Sequence, residues 1–219
     1  EIKRNFIESY DLSDEVLNFL ACEITSSIRE MVGALNRILA FTKINNKSPS
    51  IYECKKILKD FKRFEEIAHS LRDAKSIFYI GRGIMYPIAL EGALKLKEIT
   101  YKHCEGFAAS ELKHGPLALI EDQIPVIALA PSDHNFSKIL SNIQEVRARG
   151  GKSIIITDKA GSIKAKKYCD QIIVLPDTNY LTSAIIYSLP IQLIAYHLAV
   201  LLGRDVDQPR NLAKSVTVE

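Results

Sequence analysis

From Lys75 onward, short apolar runs rich in β-branched residues alternate with helical stretches, and little else that a chain can do is compatible with that rhythm. Ser76-Ile77-Phe78-Tyr79-Ile80, Ile124 to Ala130, Ser153 to Thr157 and Gln171 to Leu175 are the runs. They are nearly continuous in apolar residues, not alternating, so both faces of each strand are buried. Helical patterns lie between them at about Pro87–Tyr101 and Asn135–Arg149, the latter stopped by Gly150-Gly151. A last helix fills Leu181 to Leu202 and ends at Gly203. Such βαβ alternation predicts an α/β fold: a mostly parallel sheet with helices on both faces. Ligands of these sheets gather beyond the carboxyl ends of the strands, where Gly81-Arg82-Gly83 falls.

The segment ahead of Lys75 has a different character. Leu17, Leu20, Ile24, Ile28, Met31, Leu35 and Ile38 recur every three or four residues, which predicts one amphipathic helix from about Ser13 to Lys43. Ser13 is its cap, and Asp14 and Glu15 favour the positive end of its dipole. Asn45 to Ser50 interrupt the pattern. A second helix from Ile51 to about Arg72 carries Ile57, Leu58, Phe61, Phe64, Ile67 and Leu71 on one side. The chain therefore divides into a helical linker or association segment (1–73), an α/β domain (74–203) and a polar tail (204–219) that lies over something.

A net charge of +3 over 219 residues, with no dense Lys/Arg cluster, argues against nucleic acid as a partner. Lys164, Lys166 and Lys167 read as a solvated face. Cys22, Cys54, Cys104 and Cys169 are widely spaced, with no metal-ligand pattern; they are expected to be separate thiols in a reducing, cytoplasmic setting. Leu181 to Leu202 is broken by Ser183, Ser188, Pro190, Gln192 and His197, so it is expected to be a buried core helix, and no membrane partner is implied.

Chemistry concentrates between Glu91 and Pro116. At 100° per residue, Ile88, Gly92, Leu96 and Ile99 share one side of the helix, and Glu91, Lys95, Glu98 and Lys102 another. The charged side is either a solvated ladder of ion pairs or a site in which a carboxylate beside lysines stays ionised and serves as a general base. Leu90, Leu94 and Tyr101 form a third, partly apolar side, so the helix is expected to be covered on more than one face. His114 precedes Gly-Pro, which disfavours helix; there it either relays protons near its ordinary pKa or bonds its own loop. His69, His103, His134 and His197 read as surface or core residues, and Cys104 as structural. Gly81, Arg82 and Gly83 form either a tight turn or an anion loop at a helix start; Tyr86 rules out a dinucleotide fingerprint. Lys214 is the only lysine of the tail, either a solvated charge or a group that attacks or clamps a carbonyl.

The segments Gly81-Arg82-Gly83, YPIALEGALKLKEITY, SELKHGPLALIE, PVIALAP, NIQEVRARGG and DVDQPRNLAKSVTVE together resemble the carboxyl-terminal part of the glutamine–fructose-6-phosphate amidotransferase (glucosamine-6-phosphate synthase) family. The resemblance covers about Lys75 to Glu219, the second of two sugar isomerase (SIS) modules. It implies an SIS-type three-layer α/β sandwich preceded by amphipathic helices. It implies that Glu98 moves a proton between C1 and C2 of the open-chain sugar and that Lys214 engages the ketose carbonyl. Lys95 and Glu91 become neighbours in the substrate site. His114 becomes a residue of ring opening that reaches the active site of a neighbouring subunit in a homodimer. The implied substrate and product are fructose 6-phosphate and glucosamine 6-phosphate, with no metal and no organic cofactor. No glutaminase domain and no first SIS module are recognised, and Cys22 to Ser27 receive no role. The chain is therefore expected to act as a fragment of a larger enzyme, not competent alone. The alternatives are a non-catalytic phosphosugar-binding module and a dimerisation element.

Overall fold

The computed structural model describes residues 12–24, 31, 34–35, 38–39, 41–42 and 47–210. The chain forms two units, Glu1–Arg63 and Phe64–Glu219.

In the first unit, α1 (Asp14–Glu23) begins as the sequence predicts: the Ser13 side chain accepts a hydrogen bond from the Val16 N–H at 3.4 Å. The single helix expected over Ser13–Lys43 is not formed. Ile24 is extended (φ −113°, ψ 92°) and closes α1, its N–H donating to the Leu20 carbonyl. Helical backbone returns at residues 31, 34–35, 38–39 and 41–42. Thr25, Ser26 and Ser27 follow the break. Ser and Thr are weak helix formers in general, a local signal that the apolar periodicity masks. These three lie outside the described residues, as does Ile28. The stripe still does its packing work, with Leu20, Ile24 and Ile38 buried alongside Leu12, Val16, Ala34 and Cys54. Helix α2 (Ile51–Leu71) opens on a reciprocal box: the Ser50 N–H donates to Glu53 Oε2 at 2.8 Å, and the Glu53 N–H donates to Ser50 Oγ at 3.3 Å.

In the second unit five strands form one sheet: β1 (Ser76–Gly81), β2 (His103–Ala108), β3 (Pro125–Leu129), β4 (Lys152–Asp158) and β5 (Gln171–Leu175). Their order is β2-β1-β3-β4-β5 and every pairing is parallel. Successive residues of a strand feed opposite cores. Ile77 and Tyr79 join one core with Phe64, Ile67 and Leu71, with α3 (Met85–Thr100) and with α6 (Tyr180–Leu201). Phe78 and Ile80 join the other, with α4 (Phe136–Arg147) and two short 3-10 turns, Ala109–His114 and Pro116–Leu119. This is the three-layer sandwich that the alternation implies. A short α5 (Lys159–Ala165) carries Lys164 on an exposed face.

Two elements depart from expectation. Strand β2 was not legible, because His-Cys-Glu-Gly-Phe-Ala holds a glycine and no β-branched residue; it sits at the sheet edge, where only one neighbour selects its sequence. Helix α6 is not buried all round. It packs Tyr187, Ile191, Ile194 and Leu198 into the core, yet leaves Leu181 77%, Ile185 67% and Leu189 52% exposed. It is long and apolar enough to cross a membrane by length and composition.

Candidate active site

Helix α3 is fixed by its buried side. Ala89, Gly92, Ala93 and Leu96 face the sheet, and Gly92 lies so close to the Tyr79 ring that a Cβ there would meet it at 2.9 Å. That orientation turns Glu91, Lys95 and Glu98 away from the core. Lys95 Nζ stands 3.0 Å from Glu98 Oε2 and 3.6 Å from Glu91 Oε1. The hydrogen bond to Glu98 raises the Lys95 pKa, with the charge of Glu91 adding to it. Lys95 is therefore a fixed cation between two carboxylates, with side chains a quarter to two-fifths exposed. Glu98 is the least exposed carboxylate of the pair, at 24%.

The carboxyl end of α3 is tied to the amino edge of the sheet, where Lys102 Nζ donates to the Ala74 carbonyl at 2.8 Å. Tyr101 leaves the helix in the left-handed region (φ 62°) and receives the start of the tail. The Arg210 N–H donates to Tyr101 Oη at 2.8 Å, and the Arg210 and Arg204 guanidinium groups lie 4.3 and 5.2 Å from the ring centre. Tyr101 thus brings the tail to the Glu98 end of α3. Lys214 itself lies outside the described residues, four positions beyond Arg210, a span that a chain covers in at most about 14 Å.

The turn Gly81-Arg82-Gly83 is elsewhere. It starts α3, and Glu98 is near the other end, about 20 Å away along the axis. Its glycines have structural reasons: a Cβ on Gly81 would run into the Met85 carbonyl, and Gly83 has φ 56°. Arg82 Nη2 donates to Asn142 Oδ1 at 3.2 Å, so its guanidinium is held against α4. This geometry favours the tight-turn reading over an anion loop that shares a ligand with Glu98.

His114 is on the other side of the sheet from Glu98. Its 3-10 turn buries Ala109 and Leu112 in the α4 core, and Lys113 Nζ meets Glu145 Oε1 at 2.9 Å. Asn142 Nδ2 approaches the same Glu145 carboxylate at 3.5 Å. Arg82, Asn142, Glu145 and Lys113 therefore form one chain of contacts that braces the His114 turn. Asn142 and Glu145 went unassigned in the sequence because their roles depend on a meeting of three separate segments. Gly115 (φ 146°) then turns the chain in a conformation open to glycine.

The family profile described as SIS domain matches residues 70–202. The chain belongs to the SIS domain family. Among its relatives, the glutamine–fructose-6-phosphate aminotransferase [isomerizing] of Bartonella henselae is 59% identical over 163 residues, 74% of this chain and 27% of the relative. The enzyme of the same name from Brucella abortus is 50% identical over 187 residues, 85% of this chain and 31% of the relative. The SIS chain thus spans about a quarter to a third of the length of these relatives. In structure it is similar to the C-terminal domain of glucosamine-fructose-6-phosphate aminotransferase from Francisella tularensis (TM-score 0.65, 39% identity, 73% of this chain and 48% of that one).

Within the SIS domain, the other nucleophile near α3 is disarmed. Burial pushes the Cys104 thiol up to about 12, which leaves almost no thiolate at neutral pH. Among the described residues no group of three or more His, Cys, Asp or Glu side chains could hold a metal. The tail anchor can be tested directly. Tyr101→Ala removes one hydrogen bond and two cation–π contacts, each contributing about 0.5–1 kcal/mol. Hydrogen exchange of the tail around Arg210 is expected to speed up about tenfold. Tyr101→Phe, which keeps the ring, is expected to give a smaller increase; unchanged exchange in both variants would show that the tail is held by something else.

Proposed function

We propose that this SIS domain contributes the isomerase chemistry of glucosamine 6-phosphate formation, acting on open-chain fructose 6-phosphate as part of a larger assembly in the cytoplasm. The observation that carries the reading is the convergence at one end of α3: a carboxylate paired with a lysine, and a tail pinned beside it by Tyr101. Glu98 is the base that takes the proton from C1 and returns it at C2. Lys95 fixes the Glu98 carboxylate by a hydrogen bond of 3.0 Å, and Glu91 keeps Lys95 oriented. Lys214, four residues beyond Arg210 in the sequence, engages the carbonyl. Sharing one proton between adjacent carbons needs a positioned base of this kind and an electrophilic partner for the oxygen.

His114 completes the set from a second copy. Because the sheet separates the His114 turn from Glu98 within one chain, a site containing both draws them from two chains, as in a homodimer. The names of the relatives support the substrate: both are aminotransferases that isomerise fructose 6-phosphate. The test is solvent exchange. The chain is incubated with fructose 6-phosphate in D2O, with ammonium present, and proton NMR follows deuterium entry at C1 and C2. Entry supports the isomerase reading. Calorimetric binding without entry favours the second reading, a phosphosugar-binding module, which the partly exposed state of Glu91, Lys95 and Glu98 in this chain also suits.

A further inference from the structure

A cavity of about 380 Å³ opens at the amino ends of β3, β4 and β5, closed on one side by the last turn of α2 and the residues that follow it. None of Glu91, Lys95 and Glu98 lines it. Its volume is at the small end of ligand sites, which run from about 300 to 1,000 Å³. The floor is apolar: Pro125 and Ile154 are buried there, with Ala74 beside them. Two charges of opposite sign stand at the mouth, Asp73 after α2 and Lys152 at the start of β4. Neither side chain makes a hydrogen bond or ion pair with a described residue. Asp73 acts on Lys102, and Lys152 on Asp170, only through the field of its charge. Strands β1 and β4 begin two strand spacings apart, about 10 Å, and the two charges do not pair across that gap.

The rest of the wall is held in place. Asp170 Oδ2 accepts from the Ser153 N–H and from Ser153 Oγ, each at 2.8 Å. Burial pulls the Asp170 pKa up, but the Ser153 hydrogen bonds prevail and hold the carboxyl below its ordinary value. Ser70 Oγ donates to Gln171 Oε1 at 3.3 Å, which leaves the Gln171 amide N–H groups for another acceptor. Gln123 lines the cavity in the left-handed region (φ 67°), a conformation that strains a residue with a Cβ and that recurs at ligand clamps. Its N–H donates to the Gly150 carbonyl at 2.9 Å and keeps it there.

We infer that this cavity binds a small zwitterion with an apolar body, the chemistry of a free aliphatic α-amino acid. Its ammonium goes to Asp73, its carboxylate to Lys152, and its side chain covers Pro125 and Ile154. Charge-assisted hydrogen bonds at both ends fix the orientation. Other small molecules use less of the lining. A phosphate dianion meets two aspartates, a polyamine meets Lys152, and a neutral sugar leaves both charges unpaired and the floor wet. The inference stands apart from the proposed function, because the two sites share no residue and binding is measured without turnover.

Calorimetric titration of the whole chain with L-leucine is expected to show saturable binding. N-acetyl-L-leucine lacks the ammonium, L-leucinamide the carboxylate and glycine the apolar body. Each is expected to bind about tenfold more weakly or worse, as loss of a charged hydrogen bond or a covered side chain entails. Asp73→Asn and Lys152→Gln are each expected to weaken L-leucine by about the same factor. Both side chains are exposed, so the thermal melt is expected to stay unchanged. In the unaltered chain, L-leucine is expected to shift the backbone amide NMR signals of Ser153 and Gln171, a readout that needs no variant to fold. No saturable binding of L-leucine, binding that both variants leave unchanged, shifts confined to other residues, or displacement of L-leucine by fructose 6-phosphate each overturns the inference.

Discussion

Exchanging Glu98 for Gln is expected to slow proton transfer between C1 and C2 of fructose 6-phosphate by about 10²- to 10⁴-fold, the range that a positioned general base contributes. The substitution keeps the shape of the side chain and one hydrogen-bond acceptor for Lys95, so the fold has no reason to change. Glu98 is partly solvated, and the Tm is expected to stay within about 1–2 °C of the parent, as for a surface substitution. The comparison is made in whichever assembly turns the sugar over, this chain alone or joined to the rest of its relatives' length. The readout is deuterium entry at C1 and C2, set beside binding of the same sugar by calorimetry. Loss of exchange with binding retained identifies the base. Equal loss of binding and exchange would mean that Glu98 builds the site and does no proton transfer. Glu91→Gln is the internal control. It lies at 3.6 Å from the same lysine, against 3.0 Å for Glu98, and its loss is expected to cost far less.

Helical spacing places Glu98 on a charged side of α3, and the family resemblance alone singles it out from Glu91 there. Helical spacing sorts α3 into a buried side of Gly92 and Leu96 and a charged side of Glu91, Lys95 and Glu98, and the structure keeps both. The four apolar strand runs were equally plain, because a strand buried on both faces needs an unbroken apolar run. What the chain hid was tertiary. Strand β2 has no propensity of its own and exists because β1 offers it an edge. The break at Ile24 was masked by a stripe that continues across it. The function of Tyr101 depends on Arg210, more than a hundred residues away, and the brace from Arg82 to Lys113 joins three segments that no local pattern connects. The distance between Gly81 and Glu98 was likewise invisible. Both sit in one dense stretch of sequence, yet a helix laid along a sheet carries its two ends to opposite edges. The exposed leucines of α3 and α6 show the same limit from the other side: an apolar residue in a sequence says that it will be covered, and only the fold says that no described residue covers it.

That separation also gives the second large effect its logic. His114→Ala and Glu98→Gln are each expected to be inactive alone, and a mixture of the two is expected to regain activity. If a site takes Glu98 from one chain and His114 from another, random mixing in equal amounts supplies an intact Glu98 half of the time and an intact His114 half of the time. About a quarter of all sites are then complete, a fraction that follows from symmetric exchange of subunits alone. If both residues served the same chain, no mixture would contain an intact site and the recovered activity would be zero. The two variants must be mixed under conditions that let subunits exchange; recovery near a quarter assigns the two residues to different chains, and no recovery returns them to one.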